Sequence, residues 1–336
     1  MQERYSRQMR FKPIGEKGQK RLMEQHVLII GCGALGSANA ESLTRAGIGK
    51  LTLIDRDYVD ESNLQRQQLY SEEDAEKQTP KAIAAQSRLQ KINSNTVIAA
   101  HVIDATAITL LPFLKDIDLV IDSTDNFDTR FMLNDLLHQQ QIAWIFGSCA
   151  GSTGMSYTIM PNETPCLQCL LGPLTFSGAT CDAAGIISPA VQMAAAHQTT
   201  EAMKILVGDR KAMRTKLVMF DLWNNQYQMI DVERARKRDC PTCGIDPSYP
   251  FLNSDSRTKT EILCGRNTVQ IRSARGVSLD DLSKKLIHLK PMVTNEFLLS
   301  IEYESYRIVF FSDGRTLIHG TNSIEKAKRI YYQLVG

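Results

Sequence analysis

Gly31, Gly33 and Gly36 stand in G-x-G-x-x-G spacing directly after the apolar run Val27-Leu28-Ile29-Ile30. A helix-like stretch, Ser37 to Arg45, follows, and a second apolar run, Leu51-Thr52-Leu53-Ile54, ends in Asp55 about 20 residues after the glycines. Glycines so spaced allow a tight turn, close approach of a phosphate to backbone N–H groups, and close helix–strand packing. Asp55 is placed to accept hydrogen bonds from ribose hydroxyls. This strand–turn–helix–strand unit reads as an adenine-nucleotide site.

The motif alone would also serve a nicotinamide dehydrogenase, so the following residues matter. Ser62-Asn63-Leu64-Gln65-Arg66 comes next, then Lys81 just after Pro80. An arginine and a lysine suit the extra negative charge of a triphosphate, and Asn63 can orient a phosphate oxygen. A third apolar run, Leu119-Val120-Ile121, leads into Asp122-Ser123-Thr124-Asp125-Asn126. The carboxyl ends of parallel strands face the ligand crevice. Asp125 there is a candidate Mg²⁺ ligand, because Mg²⁺ takes one or two carboxylates beside phosphate oxygens. Taken singly, Asp125 could instead cap the helix starting near Phe127, and Arg66 and Lys81 could be solvated charges. Jointly they fit Mg·ATP better than a dinucleotide.

The chain has eight cysteines, four of them in two C-x-x-C knuckles, Cys166-Leu-Gln-Cys169 and Cys240-Pro-Thr-Cys243. Each knuckle brings two thiolates to one metal from a tight turn, and two knuckles complete a closed, structural Cys₄ zinc site. About 70 residues separate them, so the metal would staple distant segments together. A redox C-x-x-C leaves the second pair unexplained, and structural disulfides are disfavoured in the cytoplasm. Cys181 stands apart, between Gly172/Gly178 and a helix starting near Pro189, in what reads as a mobile crossing loop. It is either an exposed nucleophile or an inert, partly buried thiol. Cys32, inside the glycine loop, reads as packing.

These residues need a scaffold, and the chain supplies alternating strands and helices. Helices are expected at Thr79–Lys91, Ala105–Leu114, Phe127–Gln140 and Pro189–Leu206. Strands are expected around Thr96–Ala100, Ala143–Phe146, Met155–Met160, Lys216–Asp221 and Tyr227–Val232, with a glycine–serine turn from Gly147 to Gly154. The alternation predicts a doubly wound, mostly parallel α/β sheet with a Rossmann-like nucleotide half over residues 1–249. Residues 250–336 follow a linker-like stretch and show α+β character, enough for a small domain. The 336 residues carry a net charge of +2, which gives no reason to invoke nucleic acid or an anionic membrane. The N-terminus lacks an apolar signal core and no stretch approaches a membrane span, a cytoplasmic pattern. The basic run Arg234 to Arg238 reads as a solvated loop.

Arg4-Tyr5-Ser6-Arg7-Gln8, the glycine loop with Ala34 in a slot that is often glycine, Asn63-Leu64-Gln65-Arg66, Lys81 and Asp125-Asn126 together resemble the MoeB/ThiF family. Its members are bacterial relatives of ubiquitin-activating enzymes. They adenylate the C-terminal glycine of a small ubiquitin-like sulfur-carrier protein, which a sulfur donor then converts to a thiocarboxylate. The resemblance covers residues 1 to about 249 and implies a homodimer in which an N-terminal arginine, by position Arg7, crosses into the partner's ATP site. It implies ATP held by Gly31, Gly33, Ala34, Gly36, Asp55, Ser62, Asn63, Leu64, Gln65, Arg66, Lys81, Asp125 and Asn126. Arg7, Arg66, Lys81 and Asp125 would be catalytic, with Mg²⁺ on Asp125. Cys181 matches a cysteine that can bond covalently to the carrier in thiazole-pathway members. The thiamin-thiazole and molybdopterin pathways are not separated by these residues. A dehydrogenase and a non-catalytic nucleotide-binding scaffold stay open as alternatives at this point.

Overall fold

A computed structural model describes residues 3–172, 185–252, 260–263, 267–273, 278–289 and 291–335. Cys181 and Cys264 lie outside the described residues. The described chain separates into two compact units, residues 3–252 and residues 260–335.

The larger unit is built on an eight-stranded sheet in the order β3-β2-β1-β4-β5-β6-β7-β8. Its strands are β1 His26–Ile30, β2 Lys50–Asp55, β3 Val97–Val102, β4 Leu119–Asp122, β5 Trp144–Ala150, β6 Thr153–Ile159, β7 Leu217–Asp221 and β8 Gln226–Ile230. The first five pair in parallel and the last three antiparallel. The strand order reverses at β1, which opens a crevice beyond the carboxyl ends of β1 and β4.

Strand β1 is apolar throughout because both of its faces are covered. Val27 and Ile29 join a core with α1 (Gly15–Glu24), α2 (Ala34–Ala46), α3 (Lys81–Ile92) and α5 (Ser188–Val207). Leu28 and Ile30 join the opposite core, with Met132, Leu133, Leu136 and Leu137 of α4 (Phe127–Gln139). This is the doubly wound sheet expected from the alternation. Helix α2 stops at Gly47, whose φ of +85° a β-carbon would oppose, also driving into the Tyr5 ring.

Three local readings need correction. The predicted turn over 147–154 is a hairpin, because β5 continues to Ala150 and pairs it with Thr153 of β6. Gly151, at φ +60°, and Ser152 suffice to reverse the chain. The helix expected over 105–114 breaks into Ala107–Leu110 and a 3₁₀ turn, Leu111–Phe113, since Pro112 has no N–H to donate. The helix expected from Thr79 begins at Lys81, after Pro80, and a separate short helix, Glu72–Glu76, precedes it.

The smaller unit is an antiparallel sheet, β11-β12-β13-β14-β10-β9. Its strands are β9 Thr260–Leu263, β10 Thr268–Arg272, β11 Pro291–Thr294, β12 Leu298–Tyr303, β13 Tyr306–Phe311 and β14 Arg315–His319. Helices α6 (Leu279–Lys285) and α7 (Ile324–Val335) pack Leu282, Ala327, Ile330 and Leu334 on Val269, Ile271, Ile308 and Phe310. Its α+β character was expected. Strand β11 is a largely exposed edge opening with proline, and its residues show no buried face.

Candidate functional site: a glycine loop, a carboxylate turn and a four-cysteine centre

The glycine loop folds over the carboxyl end of β1 and lies against the end of β4. Gly31, at φ +91°, sends its N–H to the Ile54 carbonyl at 2.8 Å. A β-carbon on Gly31 would stand 2.6 Å from the Ser123 carbonyl oxygen. On Gly36 it would stand 1.8 Å from the Gly31 carbonyl oxygen. Both positions therefore require glycine, for contact with the β4 turn and for helix packing respectively. Gly33 precedes α2, and Ala34 is the first residue of that helix. Cys32 is buried, as expected of a packing residue.

Asp55 closes the other side of the loop. The Cys32 N–H donates to its Oδ2 at 2.5 Å and the Asp57 N–H to its Oδ1 at 2.6 Å. Burial pushes the Asp55 carboxyl above its usual range, and the nearby Lys81 ammonium opposes that shift. Lys81 is only 4% exposed and its Nζ stands 3.6 Å from Asp57 Oδ2. It is no solvated charge: its backbone N–H also anchors α3 to the Asp57 carbonyl at 2.9 Å. Tyr70 completes the cradle, donating its hydroxyl to the Cys32 carbonyl at 2.5 Å. Neither Asp57 nor Tyr70 was singled out from the sequence, although an acid two residues after Asp55 is a usable signal.

The Ser62–Arg66 segment is a tight turn. Asn63 is buried; its Oδ1 accepts the Asp60 N–H at 3.2 Å, so its side chain closes the turn. Ser62 and Gln65 are exposed, and Leu64 packs against the core shared with β1. Arg66 is half-buried and donates to the Ser62 carbonyl at 2.9 Å. Arg7 is exposed on the helical turn Ser6–Met9. That turn is held to its own chain on either side, where Tyr5 accepts from Asn93 at 2.8 Å and Gln8 donates to the Ala46 carbonyl at 2.9 Å.

At the end of β4 the division of labour is sharp. Asn126, not Asp125, caps α4: its Oδ1 accepts the Thr129 N–H at 2.8 Å. Asp125, one residue earlier, is exposed. Asp122 points inward and pairs with Arg130, Oδ2 to Nε at 3.4 Å. Burial raises the Asp122 carboxyl, with Arg130 opposing. Gln198 of α5 donates to the Asp122 carbonyl at 2.7 Å, and accepts from Asn39 of α2 at 2.8 Å. An exposed carboxylate on a braced turn that the glycine loop touches at Ser123 fits Mg²⁺, which keeps most of its water and needs few protein ligands.

The two knuckles converge as their spacing predicts. Cys166, Cys169, Cys240 and Cys243 are all buried, with their sulfurs within 4.8 Å of one another. Cys166 and Cys240, 3.6 Å apart, and Cys169 and Cys243, 3.5 Å apart, join different knuckles. A tetrahedral zinc with Zn–S of about 2.3 Å needs sulfurs about 3.8 Å apart, whereas a disulfide needs about 2.05 Å. The cluster therefore fits zinc. Hydrogen bonds from Cys166 and Cys169 hold the Cys243 thiol well below its usual range. The Lys237 N–H reaches Cys169 Sγ at 3.4 Å, so the basic run, though its side chains are solvated, belongs by its backbone to this centre. Asn134 and Asp135 of α4 add an outer shell that the sequence reading missed: Asn134 accepts from the Leu167 N–H at 2.8 Å, and Asp135 accepts from Thr242. Among the described residues no helix is long and apolar enough to cross a membrane.

A "Sulfur carrier protein ThiS adenylyltransferase" of Bacillus subtilis (strain 168) is 46% identical over the full length of both chains. A "Sulfur carrier protein adenylyltransferase" of Thermus thermophilus is 32% identical, covering 74% of this chain and 93% of that one. Among solved structures, E. coli MccB crystallised with ATP superposes with a TM-score of 0.62 at 23% identity, over 73% of this chain and 75% of that one, a likeness of fold. The ThiF family model matches residues 5–242, which take in the glycine loop, the carboxylate turn and three of the four knuckle cysteines, and the chain belongs to the ThiF family.

Proposed function

We propose that this protein adenylates the C-terminal glycine of a ThiS-type sulfur carrier, at the expense of ATP, for thiocarboxylate formation in thiazole assembly. The full-length likeness to the Bacillus ThiS adenylyltransferase favours the thiamin branch over the molybdopterin branch. The observation that supports this chemistry is the seating of Gly31 against Ser123, which brings the glycine loop to the turn that carries Asp125.

The carrier's carboxylate is ionised at neutral pH and needs no general base. Its oxygen attacks the α-phosphorus, the bond to the bridging oxygen breaks, and pyrophosphate leaves with that electron pair. The protein's part is positioning and charge neutralisation. Asp55 orients the ribose and the Gly31–Gly36 loop approaches the phosphates. Lys81 and Arg66, with Arg7 from the partner of a homodimer, neutralise them. Asp125 would hold Mg²⁺, which supplies further neutralisation of the phosphate charge. Ser62, Asn63, Leu64, Gln65 and Asn126 build the turns from which those groups reach. The acyl-adenylate then reacts with a sulfur donor, and any step at Cys181 follows adenylation.

The larger unit, residues 3–252, would be the adenylation domain with its zinc staple, and the smaller, residues 260–335, a domain that docks the carrier or the donor. The protein works in the cytoplasm. Titration of Mg·ATP and NAD, beside carrier-dependent exchange of pyrophosphate into ATP, tests the reading. Binding of Mg·ATP with exchange is expected. NAD binding without ATP binding would overturn it in favour of a dehydrogenase, and ATP binding without exchange in favour of a scaffold.

A further inference from the structure

Arg130, near the start of α4, is 3% exposed and gathers four partners around the end of β4. One terminal nitrogen donates to the Thr124 carbonyl at 2.5 Å and the Gly147 carbonyl at 3.1 Å. The other donates to Ser148 Oγ at 3.3 Å, and Nε faces Asp122 at 3.4 Å. The guanidinium lies against the rings of Phe127 and Phe146, at 5.1 and 5.3 Å from their centroids. Asp122 in turn accepts the Thr124 N–H at 2.9 Å and the Thr124 hydroxyl at 2.7 Å. Thr124 is thus held at its N–H, its hydroxyl and its carbonyl. Asn126, two residues on, is held as the helix cap. Asp125 is the single residue between these fixed points.

A buried ion pair is a poor way to gain stability, because an apolar pair of similar volume often does as well or better. What the charges supply here is direction: a planar fork aimed at three oxygens on two different chain segments. We infer that Arg130 is a positioning residue for the proposed adenylation, setting the direction of the Asp125 carboxylate and hence the protein's hold on Mg²⁺, without touching nucleotide. This rests on the Mg²⁺ role proposed for Asp125. A lysine at 130 keeps a charge near Asp122 but loses the fork, so the turn would loosen while the pair survives.

Two variants test it: Arg130→Lys, and the double change Asp122→Asn with Arg130→Met, which avoids stranding a buried carboxylate if the single change unfolds. The first readout is the Mg²⁺ half-saturation of carrier-dependent pyrophosphate exchange. It should rise about tenfold or more, in line with the loss of other outer-shell supports, while the rate at saturating Mg²⁺ recovers most of its value. The second is amide hydrogen exchange without nucleotide, which should quicken at Thr124 and Asn126 and stay unchanged around Cys240–Cys243. Folded variants with wild-type Mg²⁺ half-saturation and wild-type amide protection would overturn the positioning role and leave the adenylation reading intact. A wild-type protein that exchanges no pyrophosphate would take both down.

Discussion

Thr242 donates its hydroxyl to Asp135 Oδ1 at 2.5 Å, joining the second cysteine knuckle to the helix that starts two residues after Asp125. The Phe251 N–H meets the other oxygen of the same carboxylate at 2.9 Å. Asn134, next to it on α4, receives the Leu167 N–H from the first knuckle. One helix therefore presents its N-terminal end to the proposed ATP crevice and its C-terminal half to the four-cysteine centre. A closed Cys₄ centre has no open position for chemistry, so its influence on the reaction runs through α4.

A zinc held there would be a determinant of fold first and of activity second. One zinc per chain is expected by metal analysis, and Cys243→Ser should lose it together with cooperative unfolding at the wild-type temperature. Thr242→Val should keep the metal, yet leave the buried Asp135 short of a donor at a cost of about 1–3 kcal/mol. Full zinc content in Cys243→Ser, or none in the wild type, would count against the assignment.

The contrast between Gly31 and Arg130 explains what was legible in the sequence. Gly31 must be glycine because of its own backbone angle and the backbone it touches, so the requirement is written at one position in a fixed local spacing. The knuckles announce themselves for the same reason, since two residues between cysteines set the reach of both thiols. The roles of Arg130, Gln198 and Asp135 depend on partners on other elements, for Gln198 at positions 39 and 122. No local pattern encodes such partners. Lys81 lies between these cases: its position after Pro80 is local, but its burial follows from Asp57 and from the docking of α3.

Asp125 and Cys181 should separate under mutation. Asp125→Ala removes a charge anchor needed as negative charge shifts onto the leaving pyrophosphate, and should slow carrier-dependent pyrophosphate exchange by about a hundredfold or more. Cys181→Ala should leave exchange nearly intact while impairing thiocarboxylate formation, read by mass spectrometry of the carrier. Exchange lost in Cys181→Ala would show that the two steps are not divided in this way.

His197 gives the fold a defined response to acid. Burial and then the Arg214 cation, 3.3 Å from Nδ1, lower its pKa, with Lys204 adding to them and Glu201 opposing; Tyr227 OH sits 3.4 Å from Nε2. A base whose folded pKa lies below its unfolded value binds fewer protons folded than unfolded between the two. Its contribution is therefore complete above the unfolded pKa of about 6.5 and is lost as pH falls through that window. His26, His101 and His138 are lowered in the same direction, each by burial first. The raised carboxyls of Asp55, Asp122 and Asp135 act with the opposite sign, losing stability as pH rises from the carboxylate range to their folded values. The urea midpoint should fall between about pH 7.5 and 5.5, and His197→Gln should flatten that fall. An unchanged pH profile in a folded His197→Gln protein would remove this residue from the account.

Arg7 carries the prediction that reaches beyond a single chain. It is exposed, on a turn that Tyr5 and Gln8 fasten to the body of its own chain, so its guanidinium is presented outward from a fixed base. A fixed, outward cation suits delivery into a neighbouring subunit's crevice better than a trailing arm, whose ordering would cost entropy. Arg7→Ala should fail in pyrophosphate exchange by about the hundredfold typical of a lost transition-state charge contact, with ATP affinity less affected. Mixed with Asp125→Ala protein under conditions of subunit exchange, it should regain activity, because a hybrid dimer holds one crevice with both residues intact. At equal proportions half of the dimers are hybrids with one working crevice in two, so about a quarter of wild-type activity is the ceiling under the two-fold symmetry of a dimer. Full activity of Arg7→Ala alone would end the cross-subunit role. No recovery from a mixture shown to contain hybrids would place Arg7 and Asp125 in the same subunit's site.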